Sequence, residues 1–252
     1  MLAFITGSGL YDHNQLKSET VDTPFGKATL LKGTVNGRDI LMLSRHGAGH
    51  ASLPHQINHL ANLTALKQAG ATAIISCSVC GILNSAWPLG MPLVADDLYY
   101  PDNRLGDGTI CSIFQKPAEP GRGHLLAASH FHTDCSLAVS TVAGEYRKGI
   151  YGHVPGPRFN SKVEIRALQH SGVDFISQTC GPEAVLANEL ELPYALAAFG
   201  IDYANGVVET PTPIELLQQN LELSRQWFIK LIEELNEPSG GFAFENFIYR
   251  FD

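Results

Sequence analysis

Arg45 and His46 follow the apolar run Leu41–Ser44, and Gly47 comes directly after them. The run predicts a β-strand, and the glycine predicts a turn at its end. Ligands of open α/β sheets bind outside the carboxyl ends of strands. A guanidinium offers a planar fork of donors that suits phosphate, and the imidazole adds another donor. The pair therefore predicts an oxyanion site, with an exposed strand end carrying two solvated polar residues as the alternative.

Other apolar runs also end in small or polar side chains. The residues at these ends are Ser8, Ser78, Thr179 and Asp202. Parallel strands would bring these ends to one rim of a sheet, where hydroxyl groups would surround an anion and one carboxylate would lie nearby. Thr179 also precedes a predicted helix, and helix N-termini favour anions. The turn Gly7-Ser8-Gly9 lets backbone approach a ligand, but Asp12 occupies the third glycine position of a dinucleotide fingerprint.

Strand-like and helical segments alternate along the chain, which predicts a single α/β domain over residues 1–252. We expect a central twisted sheet, mixed but mainly parallel, flanked by helices. Helices are predicted over 54–68, over 162–170 with Ser161 as the cap, and from a capping box at 212–215. The tail, residues 238–252, is so rich in aromatic residues that we expect it to dock on this domain or on a neighbouring subunit.

Composition excludes several classes of protein. The net charge of −8 and the lack of a basic run argue against nucleic acid as a partner. No segment reaches the roughly 18 apolar residues that a membrane helix needs, so no membrane partner is expected. The N-terminus has no basic region typical of a signal peptide, and an odd count of five cysteines is simplest in the reducing cytoplasm.

A metal site is a weaker hypothesis for the same region. Four histidines are close in sequence, namely His46, His50, His55 and His59. The glutamate of the H-E-x-x-H pattern is absent between the last two, so no metal ligands are assigned. Cys77-Ser78-Val79-Cys80 has the C-x-x-C spacing, but no second such pair follows, and structural cysteines at a strand end are the preferred interpretation.

Several motifs together resemble one family. The chain is similar to trimeric purine nucleoside phosphorylases, in the 5'-methylthioadenosine phosphorylase branch, over roughly residues 1–235. The motifs that carry the resemblance are Gly7–Leu10, Val21–Gly26, Arg45–Gly47 with His50, Ala61–Leu63 with Ala65–Lys67, Gly156–Phe159, Pro182–Ala184 and Asp202-Tyr203. Each motif is weak alone, but their order and spacing are specific.

The resemblance implies phosphorolysis of a purine nucleoside with inorganic phosphate as co-substrate and no cofactor. By similarity, phosphate would be held by Ser8, Arg45, His46, Ser78, the Val79 amide and Thr179. Phe159 would pack on the base with Asn160 at its edge, and Asp202 would meet N7 of the leaving purine. His124 resembles the histidine that reaches the 5' end of a neighbouring subunit's nucleoside, in a homotrimer or a dimer of trimers.

Three residues depart from the family pattern. Ala204 stands where the adenine-specific branch carries a second aspartate, Gln178 replaces a methionine that packs the ribose, and Pro155 replaces a glutamate. The 6-oxopurine branch carries asparagine at the position of Asp202. The base, adenine or hypoxanthine, therefore stays open. The alternatives are a 6-oxopurine nucleoside phosphorylase, a hydrolase that uses water, and a catalytically weak protein that binds a purine-like or other aromatic ligand.

Overall fold

The computed structural model describes residues 1–8, 10 and 14–251. Gly9 of the predicted glycine turn and Asp12 lie outside the described residues. The strands are β1 (Leu2–Thr6), β2 (Leu16–Thr23), β3 (Gly26–Val35), β4 (Arg38–Ser44), β5 (Ala73–Ile82), β6 (Met91–Tyr99), β7 (Gly123–Leu126), β8 (Arg147–His153), β9 (Phe175–Ser177), β10 (Tyr194–Tyr203) and β11 (Phe247–Arg250). The helices are α1 (His59–Gln68), α2 (Thr133–Ala143), α3 (Lys162–His170), α4 (Cys180–Glu189) and α5 (Ile214–Glu234), with short 3₁₀ turns at Ala48–His50 and Pro54–Gln56.

Nine strands form a mixed sheet in the order β10-β6-β8-β9-β5-β1-β4-β3-β2. Strand β10 pairs with β5 as well as with β6, so the strands β10, β6, β8, β9 and β5 close into a ring. Strand β1 pairs parallel with β4 on one side and with β5 on the other, and β5 also pairs parallel with β10. The predicted α/β fold with a mixed sheet is confirmed, and closure of the ring leaves the central strands without a free edge.

Helices cover both faces of the sheet. Alternate residues of the fully buried strand β1 face opposite sides, so Ile5 packs with α1 and α4, whereas Phe4 packs with α2 and α5. This burial on both faces explains why β1 and β5 are continuous apolar runs. The two apolar layers fix the sheet from both sides and hold the strand ends in place.

Two predicted helix starts were wrong. The segment 54–68 begins with a 3₁₀ turn, and α1 starts only at His59, because the Asn58 side chain accepts a hydrogen bond from the Ala61 amide (3.0 Å). Helix α5 starts at Ile214 after Pro213, and no side-chain cap bond forms there, so the capping box at 212–215 is absent. Helix α3 starts at Lys162 with Ser161 as its cap, as predicted.

The tail is in contact with the rest of the chain. Strand β11 pairs antiparallel with β7, and Asn246 donates to the Asn188 side-chain oxygen (2.6 Å) and to the Ser129 carbonyl (2.8 Å). Phe242 is buried in the layer that contains α5. Over residues 1–8, 10 and 14–251, no helix has the length and apolar character needed to cross a membrane.

Candidate active site

The ends of β1 and β4 meet at one rim of the sheet, whereas Ser78 and Asp202, which were predicted to follow strands, lie within β5 and β10. Thr6 of β1 is level with Ser44 of β4, and Ile5 is level with Ser76 of β5. Further along β5, Gly81 is level with Asp202 of β10. The residues that follow β1 and β4, and those in the second half of β5, therefore lie side by side, with Asp202 further along the same rim.

Arg45 is the most highly bonded side chain of this rim. Its side chain is 1% exposed, and its Nε donates to Glu183 Oε1 at 2.6 Å. Nη2 donates to Ser76 Oγ (2.6 Å), and Nη1 donates to the Cys77 carbonyl (2.9 Å). Burial opposes its charge, but the carboxylate of Glu183 raises the pKa of Arg45 above its ordinary value. The guanidinium is thus a cation held in one orientation, and its Nε and Nη2 atoms both donate to Glu183.

Gly7 lies directly against this guanidinium. A Cβ atom at position 7 would collide with Arg45 Nη1. The glycine in the turn after β1 is therefore required by close approach of backbone to a cation. The turn leads on to Ser8, which is half-buried.

Ser78 and Thr179 come together through the antiparallel pairing of β5 with β9. Ser78 Oγ lies 3.3 Å from Ser177 Oγ and 3.1 Å from the Val79 carbonyl oxygen, and either can accept its single proton. Thr179 precedes α4 as its N-cap residue, but its side chain makes no cap bond to the helix. Ser78 and Thr179 are both buried, and Val79 is half-buried. The hydroxyls of Ser78 and Thr179 accordingly lie beside the positive end of α4.

His46 is held beside Arg45 by two contacts. Its Nδ1 is 2.9 Å from the Ser52 carbonyl, and its ring stacks on His50 with centroids 4.1 Å apart. Burial, with a smaller contribution from Arg45, lowers the pKa of His46 to about 4. The imidazole is neutral at physiological pH, and donation by Nδ1–H to the carbonyl would leave Nε2 as an acceptor.

Asp202 and Ala204 form the other end of the rim. A register shift interrupts the pairing of β10 with β5 between Gly200 and Asp202, and both Asp202 and Ala204 are half-buried. The Ala204 methyl lies against Gly81, where a Cβ atom would be 3.7 Å away. Asp202 is therefore the carboxylate on this part of β10, because alanine stands two residues later.

The loop 154–160, which carries Phe159, is tied to both β9 and β10. Gln178 Nε2 donates to the Arg158 carbonyl (3.2 Å), and Asn205 Nδ2 donates to the Asn160 carbonyl (2.8 Å). Phe159 itself is 82% exposed, and Asn160 is half-buried. The structure thus brings the aromatic loop close to the segment that follows Asp202.

A cavity of about 530 Å³ adjoins this loop. Gln178, Asn160, His59 and His153 are among its lining residues. The Nδ1 atoms of His59 and His153 are buried and have no hydrogen-bond partner among the described residues. Burial lowers the pKa of His59 to about 4 and that of His153 to about 3, with smaller contributions from Arg45 to the first and from His59 to the second. Both imidazoles are neutral at physiological pH.

His124 lies apart from these residues within one protomer. It is exposed on β7, level with Tyr249 of β11, and its ring meets Phe251 edge-on at 5.2 Å. It lines a second cavity of about 440 Å³ together with Glu189. None of the predicted phosphate residues lines that cavity, so His124 does not join the rim of its own chain.

No group of three or more His, Cys, Asp or Glu side chains that could hold a metal ion occurs in the part of the chain that the structure describes. Cys77 and Cys80 are free and buried. Burial raises the pKa of the Cys77 thiol to about 12 and that of Cys80 well above its usual value. These thiols are structural groups by their environment, since a reactive cysteine needs a lowered pKa.

Sequence reasoning missed Glu183 and Ser76 as parts of the site. Glu183 entered the sequence analysis only within the family motif Pro182–Ala184, and Ser76 lies inside a run of apolar residues. A serine within a strand that is apolar on both faces was the available signal, because a buried hydroxyl needs a partner. The partner itself is 107 residues away in sequence, and no local pattern identifies it.

Comparisons with known proteins agree on one family. Residues 1–237 match the model of the phosphorylase superfamily. The chain is 31% identical over 239 residues to a 6-oxopurine nucleoside phosphorylase of Pyrococcus furiosus, covering 88% of each chain. It is 30% identical over 254 residues to an S-methyl-5'-thioadenosine phosphorylase of Caenorhabditis briggsae, covering 94% of this chain and 87% of the other.

Solved structures support the same relationship. A variant of adenosine/methylthioadenosine phosphorylase from Schistosoma mansoni, in complex with methylthioadenosine, superposes with a TM-score of 0.82 at 25% identity. The superposition covers 93% of this chain and 89% of the other. The family match, the relatives and the rim of strand ends lead to one conclusion: this chain belongs to the phosphorylase superfamily.

Proposed function

We propose that this protein is a purine nucleoside phosphorylase that cleaves the N-glycosidic bond of 5'-methylthioadenosine or 5'-methylthioinosine with inorganic phosphate. The products are free purine and 5-methylthioribose 1-phosphate. One observation carries the proposal: Arg45, Ser78 and Thr179 lie at the end of the rim where Gly7 brings backbone close to a cation, and Asp202 lies further along the same rim. An anion and a leaving base can therefore be held on either side of one sugar.

In this proposal phosphate is held by Ser8, Arg45, His46, Ser78, the Val79 amide and Thr179, and it attacks the anomeric carbon. Positioning phosphate beside the sugar supplies proximity, and its negative charge stabilises the oxocarbenium-like transition state. Because His46 is neutral and its Nδ1–H is donated to the Ser52 carbonyl, its Nε2 accepts a hydrogen bond from the P–OH group of a hydrogen phosphate ion, and the ring adds no second positive charge. Inorganic phosphate is the co-substrate, and no cofactor is needed.

The base is held at the other end of the rim. Phe159 packs on the purine, Asn160 lies at its edge, and Asp202 donates or shares the proton that N7 gains as the bond breaks. Gln178 stands at the ribose position of the family pattern, where its Nε2 donates to the Arg158 carbonyl and its Oε1 lies against Gly156. Closure of Phe159 over a bound base would remove a large exposed ring from water.

Ala204 favours a second candidate, a 6-oxopurine nucleoside phosphorylase. With no carboxylate at this position, the site lacks an acceptor for a 6-amino group, and one relative at 31% identity is a 6-oxopurine enzyme. Asp202 could then donate to N7 only when protonated. The two candidates share the reaction and differ in the base they select.

We also propose that residues 1–252 act as one domain in a homotrimer, or a dimer of trimers, in which His124 reaches the 5' end of a neighbour's nucleoside. The exposed position of His124 on β7, beside exposed Tyr249 and Phe251, suits contact with another chain. All five cysteines are free, which suits the reducing cytoplasm. We propose a role in purine salvage from the reaction alone, because it releases a free purine.

Purine release from 5'-methylthioadenosine, 5'-methylthioinosine and inosine, each with and without phosphate, tests the proposal. Phosphate-dependent release is the expected result, and the preferred nucleoside identifies the base and the 5' substituent. Release without phosphate would instead identify a hydrolase. A protein that binds these nucleosides but releases no purine would be the catalytically weak binder.

A further inference from the structure

The carboxylate of Glu183 is the common partner of several groups behind the rim. Its side chain is 1% exposed, and it accepts hydrogen bonds from Arg45 Nε (2.6 Å) and Nη2 (3.3 Å). It also accepts from Ser76 Oγ (2.6 Å) and from the Tyr194 hydroxyl (3.2 Å). Three of these donors meet Oε2 and one meets Oε1, and because the side chain is 1% exposed, the carboxylate is enclosed by protein donors and is not open to a ligand.

These bonds determine which part of Arg45 can meet an anion. Nε and Nη2 are directed at Glu183 and Ser76, and one N–H of Nη1 goes to the Cys77 carbonyl. A guanidinium has five N–H groups, so Nη1 keeps one more. Nη1 is also the atom that lies against Gly7. The arrangement therefore directs the remaining donor towards the turn after β1.

The same carboxylate fixes the helix that follows Thr179. Glu183 lies in the first turn of α4, and its partners lie on three other elements: Arg45 after β4, Ser76 on β5 and Tyr194 on β10. The cation and the helix N-terminus are thus tied to each other through one side chain. A ligand that needs both would lose affinity if either moved.

We propose that Glu183 is a positioning residue for phosphate: it touches neither substrate and acts by orienting Arg45 and the N-terminus of α4. The inference depends on the proposed function, because phosphate is the anion concerned. Stability alone does not account for the pair, since a well-packed hydrophobic pair in its place is often as stable as a buried ion pair or more so. The buried pair is accounted for if an anion binds between Arg45 and the N-terminus of α4, because Glu183 holds the two together.

Glu183→Asp tests this inference without changing the charge. The shorter side chain cannot reach all four donors, whereas a change to glutamine would also remove a negative charge that opposes phosphate binding. We expect the half-saturating phosphate concentration to rise about tenfold, with the nucleoside KM within about twofold of the wild-type value. Ser76→Ala, which removes one of the four bonds, should raise the phosphate value by roughly threefold.

Asn188→Ala is the matched control. Asn188 lies in the same helix and is fully buried, with bonds to the Ala184 and His130 carbonyls that do not involve Arg45. Asn188→Ala should lower the melting temperature and leave the half-saturating phosphate concentration unchanged. A folded Glu183→Asp protein with unchanged phosphate saturation, or with equal shifts for phosphate and nucleoside, would overturn the inference. If Glu183→Asp does not fold, the half-saturating phosphate concentration of Ser76→Ala is used instead, and an unchanged concentration would overturn the inference.

Failure of the proposed function is detected separately. If wild-type purine release does not depend on phosphate, the proposed reaction is wrong, and the readout becomes the rise in melting temperature caused by inorganic phosphate. A smaller rise for Glu183→Asp than for the wild type supports the positioning role, and an equal rise contradicts it. A wild-type protein that phosphate neither activates nor stabilises would contradict both proposals.

Discussion

At the end of the rim where we propose that phosphate binds, the Arg45 and Glu183 side chains are each 1% exposed and are held by bonds to three strands. Phe159, at the proposed base end, is 82% exposed. The phosphate end is built from strand ends and a helix N-terminus, elements that the apolar core fixes. The base end depends on the loop 154–160, and two side-chain bonds to its carbonyls tie it down. The two ends therefore differ in how far they are formed before a ligand arrives.

This difference indicates that the two ends have different roles in the proposed reaction. A preformed anion site costs little reorganisation when phosphate binds, which is what electrostatic stabilisation of a transition state requires. An open base site can admit and release a purine, and loops with few buried contacts open at low free-energy cost. We expect changes at the phosphate end to affect stability and activity together, and changes at the base end to affect activity alone.

Arg45→Met should have the largest effect, because it leaves the buried charge of Glu183 without a cation. We expect the free energy of unfolding to fall by about 3–5 kcal/mol and phosphorolysis to fall by at least about a thousandfold. Urea denaturation and purine release measure the two quantities. A loss of stability below about 1 kcal/mol would show that the phosphate end is less tightly built than its contacts imply.

Asp202→Asn should separate chemistry from stability at the other end. We expect kcat to fall about a hundredfold, in the range of general acid catalysis, while the half-saturating phosphate concentration stays the same. Because the side chain is half-buried, the melting temperature should change little. Unchanged kcat with a poorer nucleoside KM would instead make Asp202 a binding residue only.

Acid should destabilise the fold through the buried histidines His46 and His59. Burial lowers the folded-state pKa of His46 and His59 to about 4, whereas the unfolded chain titrates near 6.5. Between these values the unfolded chain binds more protons, so stability falls as pH drops from about 6.5 towards 4, by up to about 1.4 kcal/mol per pH unit for each histidine. Above about 6.5 these histidines contribute no pH dependence.

Urea titrations at several pH values across this window measure the effect. His59→Gln should flatten the dependence, because it removes one of the groups. A free energy of unfolding that stays constant over the window would contradict the neutral, buried state of these imidazoles.

Phe159→Ala should have the smallest effect and the most local one. We expect the nucleoside KM to rise about fivefold, as for one lost aromatic contact, with the free energy of unfolding within about 0.5 kcal/mol. Leu137→Ala, at an apolar residue that is 62% exposed on α2, is the control for loss of an exposed apolar side chain. Equal KM values for the two variants would remove Phe159 from the base site.

The parts of this site that the sequence predicted are those marked by local signals. Arg45, Ser78 and Asp202 were singled out because each follows or interrupts an apolar run, and the Ser161 cap was predicted because a serine directly precedes the helical segment. The Arg45–Glu183 pair and the pairing of β7 with β11 were not found, because their partners are more than 100 residues apart and only tertiary packing joins them. The order of strands in the closed ring was not predicted either, because it is also set by tertiary packing.

The most direct test is to follow one reaction of the wild-type protein with 5'-methylthioadenosine or 5'-methylthioinosine and phosphate by phosphorus NMR. Phosphorolysis at the rim predicts that a sugar 1-phosphate signal appears in amounts equal to the purine released, and that Arg45→Met abolishes both. Purine released without a new phosphorus signal, or equal product from the Arg45→Met variant, would contradict the assignment of the rim as the phosphate and nucleoside site.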